Sequence, residues 1–287
     1  MSRCERRRPD LDREYSPSTL VPSLRACLRE YAALSAAARA EHRTLVDLRY
    51  GTSPAARLDL FPVAGRGSAV EVFVHGGYWQ ELTKEDSAFA APDFLTAGTA
   101  FAALDYGLAP AHRLDEIVTM VCQAIAWLHR NAAAFGIDPR RIHLSGSSAG
   151  AHLVATALTR DTARLIASAA LLSGVYDLEP LRHTYVNDAL GLDADAALRN
   201  SPVHHLPERL PPVVIARGGG ETGEFIRQHD TMTALLRQRT TVTEIVSPAR
   251  HHFDLPYDLG NPRTALGRAV LAHTQAAATR AAVSGDE

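Results

Sequence analysis

The feature that most constrains the fold of this chain is a regular alternation of strand-like and helix-like stretches that begins near residue 70. Short apolar runs alternate with longer runs whose apolar residues recur with helical spacing. This pattern is typical of a mostly parallel sheet with helices on both faces, so the sequence predicts an α/β fold. The strand-like runs lie near residues 70–74, 100–105, 141–144, 167–172, 213–216 and 242–246, and the helical runs include residues 85–96, 114–135 and 263–280.

An amphipathic helix and two further strands are predicted before this alternation. From residue 16 to about residue 40 the apolar residues recur with helical spacing, so one face of the helix must be covered by another part of the chain. Strands near residues 44–50 and 56–61 follow. The charged first residues are not followed by the apolar core of a secretory signal, which predicts a flexible, solvated tail over residues 1–15. The apolar face of the helix comprises Leu20, Leu24, Cys27, Leu28, Tyr31 and Leu34.

Residues 16–287 are predicted to form one domain, because no linker rich in Pro, Gly or Ser divides them. The alternation fails between about residues 179 and 211, where His, Pro and Asp are frequent. A long connection of this kind often carries functional residues on short helices and turns. We therefore expect a small lid over the site in this segment.

Composition excludes several classes of function. The 287 residues include 30 basic and 32 acidic side chains, so the net charge of −2 gives no reason to expect nucleic acid as a partner. No apolar stretch approaches the roughly 20 residues of a membrane span. The 3 cysteines are widely spaced, which indicates neither a disulfide framework nor a cysteine zinc site. We expect a cytoplasmic protein without a membrane partner, for which a homodimer is the candidate assembly.

The most informative motif is Gly146-Ser147-Ser148-Ala149-Gly150, which stands between a predicted strand and an apolar, helix-like run. A strand that turns sharply into a helix exposes one side chain in a strained conformation, and glycines two residues to either side avoid clashes there. Only Ser148 has glycine at both positions. Such a motif also occurs by chance, so its context decides the interpretation. With the partners described next, Ser148 is the candidate nucleophile.

A reactive serine needs a histidine to take its proton and a carboxylate to orient that histidine. After a turn of this type, the acid and then the histidine follow, each at the end of a later strand. Glu221 follows three glycines after one predicted strand, and His252 follows the last strand. We choose His252 because the aromatic ring of Phe253 can pack behind it. His251 stays an alternative base.

Three aspartates stay alternative acids. Asp177 follows the preceding strand, which is early for the expected order. Asp230 falls inside a predicted helix, and Asp254 would have to fold back onto a histidine two residues before it. Glu221 is preferred because glutamate is an accepted variant of this role and reaches one methylene further than aspartate.

Acyl transfer also requires hydrogen-bond donors for the negative oxygen of the tetrahedral intermediate. The run HGGYW at residues 75–79 ends an apolar strand, and its glycines leave backbone N–H groups accessible. The side chains of Tyr78 and Trp79 are predicted to wall the acyl pocket or to stack on an aromatic leaving group. The predicted donors are the backbone amides of Gly76, Gly77, Tyr78 and Ala149.

Neither a metal nor an organic cofactor is predicted. His183, His204 and His205 lack the spacing of a metal-binding motif, so we expect them to be solvated loop residues. The glycines at residues 218–220 do not have the spacing of a dinucleotide-binding loop.

Five stretches together carry a resemblance to a known family: HGGYWQ (residues 75–80), GSSAGAHL (146–153), SGVYDLEPL (173–181), ETGEFIRQ (221–228) and HFD (252–254). They resemble the α/β-hydrolase superfamily and, within it, the kynurenine formamidase group, a relative of the hormone-sensitive-lipase-like esterases. The resemblance implies an α/β-hydrolase fold that hydrolyses N-formyl arylamines such as N-formylkynurenine without a cofactor. The group usually has Asp where this chain has Glu221, and Asn where it has His251.

Three functions are weighed on this basis. The first is a serine hydrolase that cleaves a small aromatic formamide through a formyl-enzyme, with Ser148 as nucleophile, His252 as base and Glu221 as its orienting acid. The second is a short-acyl or aryl carboxylesterase, and the third is a non-catalytic ligand receptor on a hydrolase fold. The first is preferred to the second because of the family resemblance. It is preferred to the third because such receptors usually lack one of the three residues, which all stand here in the expected order.

Overall fold

In the computed structural model, which describes residues 8–283, the chain folds around one eight-stranded sheet. None of the helices in that range is long and apolar enough to cross a membrane. The strands are β1 (Leu45–Arg49), β2 (Arg57–Phe61), β3 (Ser68–Val74), β4 (Ala100–Leu104), β5 (Ile137–Ser147), β6 (Ser168–Leu172), β7 (Val213–Gly220) and β8 (Val242–His251). The α-helices are α1 (Arg8–Glu14), α2 (Leu24–Glu41), α3 (Ala91–Thr96), α4 (Leu114–Asn131), α5 (Ala149–Ala157), α6 (Asn187–Leu190), α7 (Ala194–Arg199), α8 (Gly223–Leu236) and α9 (Ala265–Val283).

The strand order is β1-β2-β4-β3-β5-β6-β7-β8, and β2 runs antiparallel to both of its neighbours. The pairings from β4 across to β8 are all parallel. Parallel strands end at the same edge of a sheet, so the loops after β3, β5, β6, β7 and β8 lie along one edge. This arrangement confirms the predicted mostly parallel sheet and the α/β fold.

Helices cover both faces of the sheet, as predicted. The helices α4, α5 and α8 pack on one face, against alternate residues of the strands such as Val70 and Val72. The helices α3 and α9 pack on the other face, against residues such as Phe73 and Phe101. All five residues of β4 are buried, because this strand lies inside the sheet and is covered on both sides.

Two predicted helices begin later than the sequence pattern suggests, and a proline stands near each start. The helix expected from residue 16 begins at Leu24, where the Ser23 side chain caps the first turn by accepting a backbone N–H. The helix expected over residues 85–96 is reduced to α3, which has Pro92 in its first turn. A proline lacks the N–H group and clashes with a preceding helical turn, so it is tolerated at the start of a helix and interrupts its interior.

The predicted flexible tail is wrong for residues 8–15, which form α1 and its C-terminal connection. Tyr15 is fully buried, and its hydroxyl donates to the Glu224 carboxylate at 3.1 Å. The Thr222 hydroxyl donates to the Glu14 carbonyl and so holds the end of α1 against α8. A helix of seven residues is too short to show a clear apolar period, which explains the error. Residues 1–7 of the predicted tail lie outside the described residues.

The segment predicted as a lid consists of short helices and turns. The helices α6 and α7 lie between 3₁₀ turns at Pro180–His183 and Pro202–His204, each with proline in its first turn. From this segment, Tyr185 and Val186 line the cavity described below. A role as a lid stays a prediction.

Candidate active site

Ser148 stands at the sharp turn between β5 and α5. Its backbone angles are φ 57° and ψ −118°, which L-residues rarely adopt. The neighbouring glycines allow close packing around it: a Cβ atom on Gly146 would lie 2.4 Å from the Gly150 backbone, and one on Gly150 would lie 1.9 Å from the Val74 carbonyl oxygen. The Ser148 N–H donates to the Leu172 carbonyl at 2.8 Å, which ties the turn to β6. The motif therefore forms the strained turn that the sequence predicts.

His252 and Glu221 meet at the same edge of the sheet. The Nδ1 atom of His252 lies 3.0 Å from the Oε2 atom of Glu221, and both side chains are buried. They meet because β7 and β8 are parallel neighbours, with Gly220 opposite His251. Since a carboxylate accepts, Nδ1 of His252 carries a proton, and Nε2 is left free to accept one.

Two phenylalanines hold the imidazole of His252. The ring of Phe225, on α8, lies 4.6 Å away at 70°, and that of Phe253 lies 5.0 Å away at 72°. Edge-to-face contacts on two sides favour one orientation of the imidazole. The contact with Phe253 is the one on which the choice of His252 rested, whereas Phe225 was not foreseen.

The alternative base, His251, contacts a different carboxylate. Its Nδ1 atom lies 3.2 Å from Oδ1 of Asp254, and the same oxygen accepts the His251 backbone N–H at 2.6 Å. Asp254 therefore folds back, but onto His251 rather than onto His252. The His251 side chain is 31% exposed, whereas His252 is buried against the site.

The other two alternative acids lie elsewhere. The Oδ2 atom of Asp177 lies 3.8 Å from a guanidinium nitrogen of Arg227. Asp230 is exposed on α8. Glu221 is thus the carboxylate that the structure joins to His252, and its catalytic role stays a prediction.

The Glu221 carboxylate has donors on both oxygens. The Ser173 hydroxyl donates to Oε1 at 2.5 Å, while His252 donates to Oε2. Burial raises the pKa of Glu221, but the His252 imidazole, the Ser173 hydroxyl and the Gly218 N–H outweigh burial, so the pKa lies below its ordinary value. The carboxylate is therefore ionised at neutral pH. Ser173 is a residue of the site that the sequence reasoning assigned no role.

The loop after β3 leaves backbone donors unused. Gly77 and Tyr78 have φ angles of 87° and 50°, and a Cβ atom on Gly77 would lie 2.3 Å from the Glu81 carbonyl oxygen. Within residues 8–283, the N–H groups of Gly77, Tyr78 and Ala149 donate to no backbone carbonyl. Gly76, Gly77 and Tyr78 line the same cavity as Ser148. Free amides beside a nucleophile are what a developing oxyanion requires.

Tyr106, which follows β4, contacts this loop and holds its backbone in place. The sequence analysis assigned this residue no role. Its hydroxyl donates to the His75 carbonyl at 2.7 Å and lies 3.2 Å from the Gly76 carbonyl. Its ring stacks on the His75 imidazole at 4.1 Å. Because a peptide unit is planar, fixing these two carbonyls also fixes the N–H groups of Gly76 and Gly77. No pattern in the sequence marks a single aromatic residue for this task.

Ser148 and His252 line a cavity of about 200 Å³. Its polar lining residues include Ser147, Ser148 and His252, and much of the remaining wall is aromatic. A largely apolar cavity with few polar groups is the usual form of a small-molecule site. The aromatic lining residues are Tyr31, Phe73, Tyr78, Phe89, Tyr185 and Phe253.

One wall of the cavity comes from the N-terminal segment, which the sequence analysis did not assign to the site. Leu24 and Leu28 line the cavity from α2. The Tyr31 hydroxyl donates to the Phe253 carbonyl at 2.5 Å, which ties α2 to the loop that carries the histidine. The predicted apolar face is therefore only partly packed against protein, and Leu34, which belonged to it, is 43% exposed.

The prediction that Trp79 walls the pocket is wrong. Its side chain is fully buried and does not line the cavity. With φ at 60°, the turn places the indole against His152, with ring centres 4.9 Å apart. Tyr78 does line the cavity, and its hydroxyl donates to the Tyr15 carbonyl at 2.6 Å.

The predicted loop histidines are exposed: His183, His204 and His205. Among the described residues, His229, Asp230 and Glu244 have ligand atoms within 4.8 Å of one another. Glu244, however, already accepts from His229 at 3.1 Å and from the Arg237 guanidinium at 2.6 Å. Because a cation already pairs with this carboxylate, we assign no metal to the group.

This chain is similar in sequence and in fold to several known proteins. The BD-FAE family model matches residues 58–233. The chain is 32% identical over 239 residues to the kynurenine formamidase of Danio rerio, covering 77% of this chain and 80% of that protein. It is 27% identical over 248 residues to esterase LipC of Mycobacterium tuberculosis, covering 75% and 62%. The crystal structure of a protein from Silicibacter sp. TM1040, described as a putative thioesterase, matches with a TM-score of 0.81 and 31% identity. The match covers 92% of this chain and 99% of that one.

Proposed function

This chain belongs to the kynurenine formamidase group of the α/β-hydrolases and, over residues 58–233, to the BD-FAE family, and from that membership we propose that it cleaves N-formyl arylamines to arylamine and formate. Hydrolase activity follows from the membership itself, so the hypothesis of a non-catalytic receptor is set aside. The observation that carries the proposal is the convergence of Ser148, the His252–Glu221 pair and unused amide donors at one end of an aromatic cavity.

In the first half of the proposed reaction, the Ser148 hydroxyl attacks the formyl carbon while Nε2 of His252 takes its proton. The resulting oxyanion accepts hydrogen bonds from the free amides of the loop after β3 and of Ala149. His252 becomes an imidazolium beside the ionised Glu221, whose depressed pKa fits a group that must stay charged at this step.

In the second half, His252 gives its proton to the arylamine nitrogen, the C–N bond breaks, and the formyl group stays as an ester on Ser148. Water then attacks this ester with His252 again as base. Formate leaves and the serine proton returns. The balance is one water consumed for one arylamine, one formate and one proton released to solvent, and no step needs another reagent.

The cavity supports an aromatic leaving group. Phe89 and Phe253 offer apolar ring surface on which an aryl ring can stack. A formyl group carries only hydrogen on its acyl carbon, so it needs little room between Ser148 and the loop after β3. We therefore expect a higher kcat/KM for formyl substrates than for substrates with larger acyl groups.

The test is Ser148→Ala with N-formylkynurenine and formanilide as substrates. We expect kcat/KM to fall by about 10⁴-fold or more, since the nucleophile is removed. A fluorophosphonate probe should label the wild-type chain at this serine and should not label the variant. The matched control is Ser145→Ala, because Ser145 lies on the same strand but not in the cavity. Retention of most of the activity by Ser148→Ala would exclude the mechanism.

A second candidate function is an aryl or short-acyl carboxylesterase. The similarity to esterase LipC and the apolar cavity favour it. The same serine and histidine would perform that reaction, so variants of them do not distinguish the two. The ratio of kcat/KM for formanilide to that for phenyl acetate does: a higher value for the ester supports the esterase.

A further inference from the structure

Two neighbouring residues at the end of α1, Glu14 and Tyr15, contact both sides of the active site. On one side, the Tyr15 carbonyl accepts the Tyr78 hydroxyl at 2.6 Å. The backbone N–H of Tyr78 is a candidate oxyanion donor, and its φ of 50° is a value that residues other than glycine rarely adopt. Surrounding contacts must hold such a backbone in place, and the bond to Tyr15 is one of them.

On the other side, Glu14 holds the start of α8, the helix that begins two residues after Glu221. The Glu14 carbonyl accepts the Thr222 hydroxyl, and the Oε2 atom of Glu14 accepts the Glu224 N–H at 3.1 Å. The first N–H groups of a helix have no partners within the helix, and a carboxylate at this end is favourable. Glu14 therefore caps α8 from a distant part of the chain.

The first turn of α8 in turn places the acid and the base. Glu221 stands directly before this turn, and Phe225 within it packs edge-to-face on His252 at 4.6 Å. Tyr15 adds to the hold: its hydroxyl donates to Oε2 of Glu224 at 3.1 Å, and its ring centre lies 6.2 Å from that of Phe225. A shift of this turn would therefore move the carboxylate and the imidazole together.

The two sides of the site are separated within the sheet. The loop with Tyr78 follows β3, the loop with Glu221 follows β7, and β5 and β6 lie between these strands. Since neighbouring strands lie about 4.8 Å apart, β3 and β7 are about 14 Å apart. Glu14 and Tyr15 bond to both loops and so link them directly across this gap.

We propose that Glu14 and Tyr15, which we call the N-terminal clamp, are positioning residues that set the oxyanion donors against the Glu221–His252 pair. The inference rests on the roles that the proposed function gives to those donors and to that pair. Neither residue of the clamp lines the cavity, so the clamp acts through the groups it holds. A displacement of about 1 Å between groups that act in one step can cost about 10²-fold in rate.

Tyr78→Phe and Glu14→Ala each release one side of the N-terminal clamp. Tyr78→Phe keeps the ring and removes the hydroxyl, and Glu14→Ala removes the carboxylate that caps α8. We expect kcat for an N-formyl arylamine to fall by about tenfold in each variant, with KM changed by less than about twofold, because the reacting groups move while the cavity wall stays. Unchanged kcat in either variant would overturn the inference.

Glu14→Gln and Glu116→Ala separate positioning from a general loss of stability. The amide oxygen introduced by Glu14→Gln can still accept the Glu224 N–H, so this variant should keep at least about half of the wild-type kcat. Glu116 braces the start of another helix, α4, by accepting the Arg113 N–H at 2.9 Å, and does not line the cavity. Glu116→Ala should therefore lower the urea midpoint, as Glu14→Ala does, and leave kcat unchanged. An equal loss of kcat in Glu116→Ala, or no rescue by Glu14→Gln, would contradict a positioning role.

The double variant Tyr78→Phe/Glu14→Ala tests whether the two bonds act as one device. The relative position of the two loops is lost when either side is released, so the combined loss of kcat should stay near about tenfold. Independent contacts would multiply their effects, and a loss of about a hundredfold would show that the residues do not form a clamp. If Glu14→Ala does not fold, Thr222→Val removes the other bond to Glu14 and takes its place in this comparison.

Phenyl acetate separates this inference from the proposed function. Ester cleavage uses the same donors and the same Glu221–His252 pair, so the ratio of variant to wild-type kcat should be similar for both substrates. If formamides are not cleaved and phenyl acetate is, the proposed function fails, and the ester still decides the role of the N-terminal clamp. If neither is cleaved, the rate at which a fluorophosphonate labels Ser148 replaces kcat/KM in each comparison.

Discussion

Two glutamates of this chain are buried to a similar degree, but at neutral pH one is ionised and the other is mostly protonated. Glu221, at the catalytic edge of the sheet, is 8% exposed, and Glu71, in the middle of β3, is 1% exposed. The pKa of Glu221 lies below its ordinary value, whereas burial raises the pKa of Glu71 to about 8. Burial acts on both carboxyls in the same direction, so the difference comes from the donors around them.

The donors differ because the two residues occupy different kinds of backbone. Glu221 follows β7 in a loop, where the Gly218 N–H, the Ser173 hydroxyl and the His252 imidazole are available to it. Glu71 lies within a strand paired on both sides, so the nearby N–H groups are used in the sheet. Among the described residues, its Oε1 atom has no hydrogen-bond partner, and only the Ser145 hydroxyl acts against burial to lower its pKa.

The side chain opposite Glu71 does not supply the charge that would stabilise an ionised carboxylate there. His143 is its register partner on β5, and burial, with Arg141 and His273, lowers the pKa of this imidazole to about 3. The histidine is therefore neutral at physiological pH and offers no charge to the carboxyl. At the catalytic edge the histidine beside the glutamate is instead hydrogen-bonded to it. Donor geometry, more than depth, separates a functional buried carboxylate from one that costs stability.

The largest expected effect is the loss of kcat when Glu221, the ionised glutamate of the pair, is replaced. Glu221→Gln keeps the shape of the side chain but removes the charge that orients and stabilises the His252 imidazolium, so kcat should fall by about 10³–10⁴-fold. Glu221→Asp is the informative partner variant, because it keeps the charge and shortens the reach by one methylene; it should retain more activity than Glu221→Gln. Steady-state kinetics on an N-formyl arylamine measures both. A Glu221→Gln variant with more than about a tenth of wild-type kcat would remove Glu221 from the mechanism.

The sequence predicts the sheet and the candidate nucleophile because their signals are local. The glycine spacing around Ser148 and the alternation of apolar runs can be read within a few residues. The supporting contacts are not local: Ser173 meets Glu221 across 48 residues, and Tyr15 meets Glu224 across 209. A single serine or tyrosine has no pattern that predicts its partner, so these residues, like the buried indole of Trp79, become clear only in three dimensions.

The second effect concerns stability and comes from Glu71. Its folded-state pKa of about 8 lies above the ordinary value of 4.5, so the folded chain holds a proton that the unfolded chain releases. This loss of stability is absent below about pH 4.5 and grows as pH rises towards 8. Glu71→Gln replaces the acid with a neutral amide of the same shape and should raise the free energy of unfolding at pH 7 by about 3 kcal/mol.

Urea unfolding at pH 5 and pH 8 measures this prediction. The variant should gain more over wild type at pH 8 than at pH 5, while kcat/KM stays unchanged because Glu71 does not line the cavity. Glu208→Gln, at an exposed position, is the control and should change neither quantity. An equal change at both pH values would show that the effect of Glu71→Gln is not linked to protonation.

The smallest of the three effects comes from removing one donor of Glu221. Ser173→Ala leaves the Oε1 atom of Glu221 without the hydroxyl that contacts it at 2.5 Å. Fewer donors then oppose burial, so the pKa of Glu221 moves upward. Because activity requires the ionised carboxylate and is lost as pH falls through that pKa, the acid limb of kcat/KM should move to higher pH. At pH 7 we expect kcat to fall by about tenfold, with KM little changed.

The control for Ser173→Ala is Ser168→Ala. Ser168 begins β6, the strand that ends directly before Ser173, but its hydroxyl contacts the His143 ring at 2.7 Å, away from the cavity. A loss of strand packing would appear in both variants as lowered stability, whereas a shifted acid limb is expected in Ser173→Ala alone. If the pH profiles of Ser173→Ala and wild type superimpose, the Ser173 hydroxyl does not tune the carboxylate, and the low pKa of Glu221 must come from His252 and the Gly218 amide.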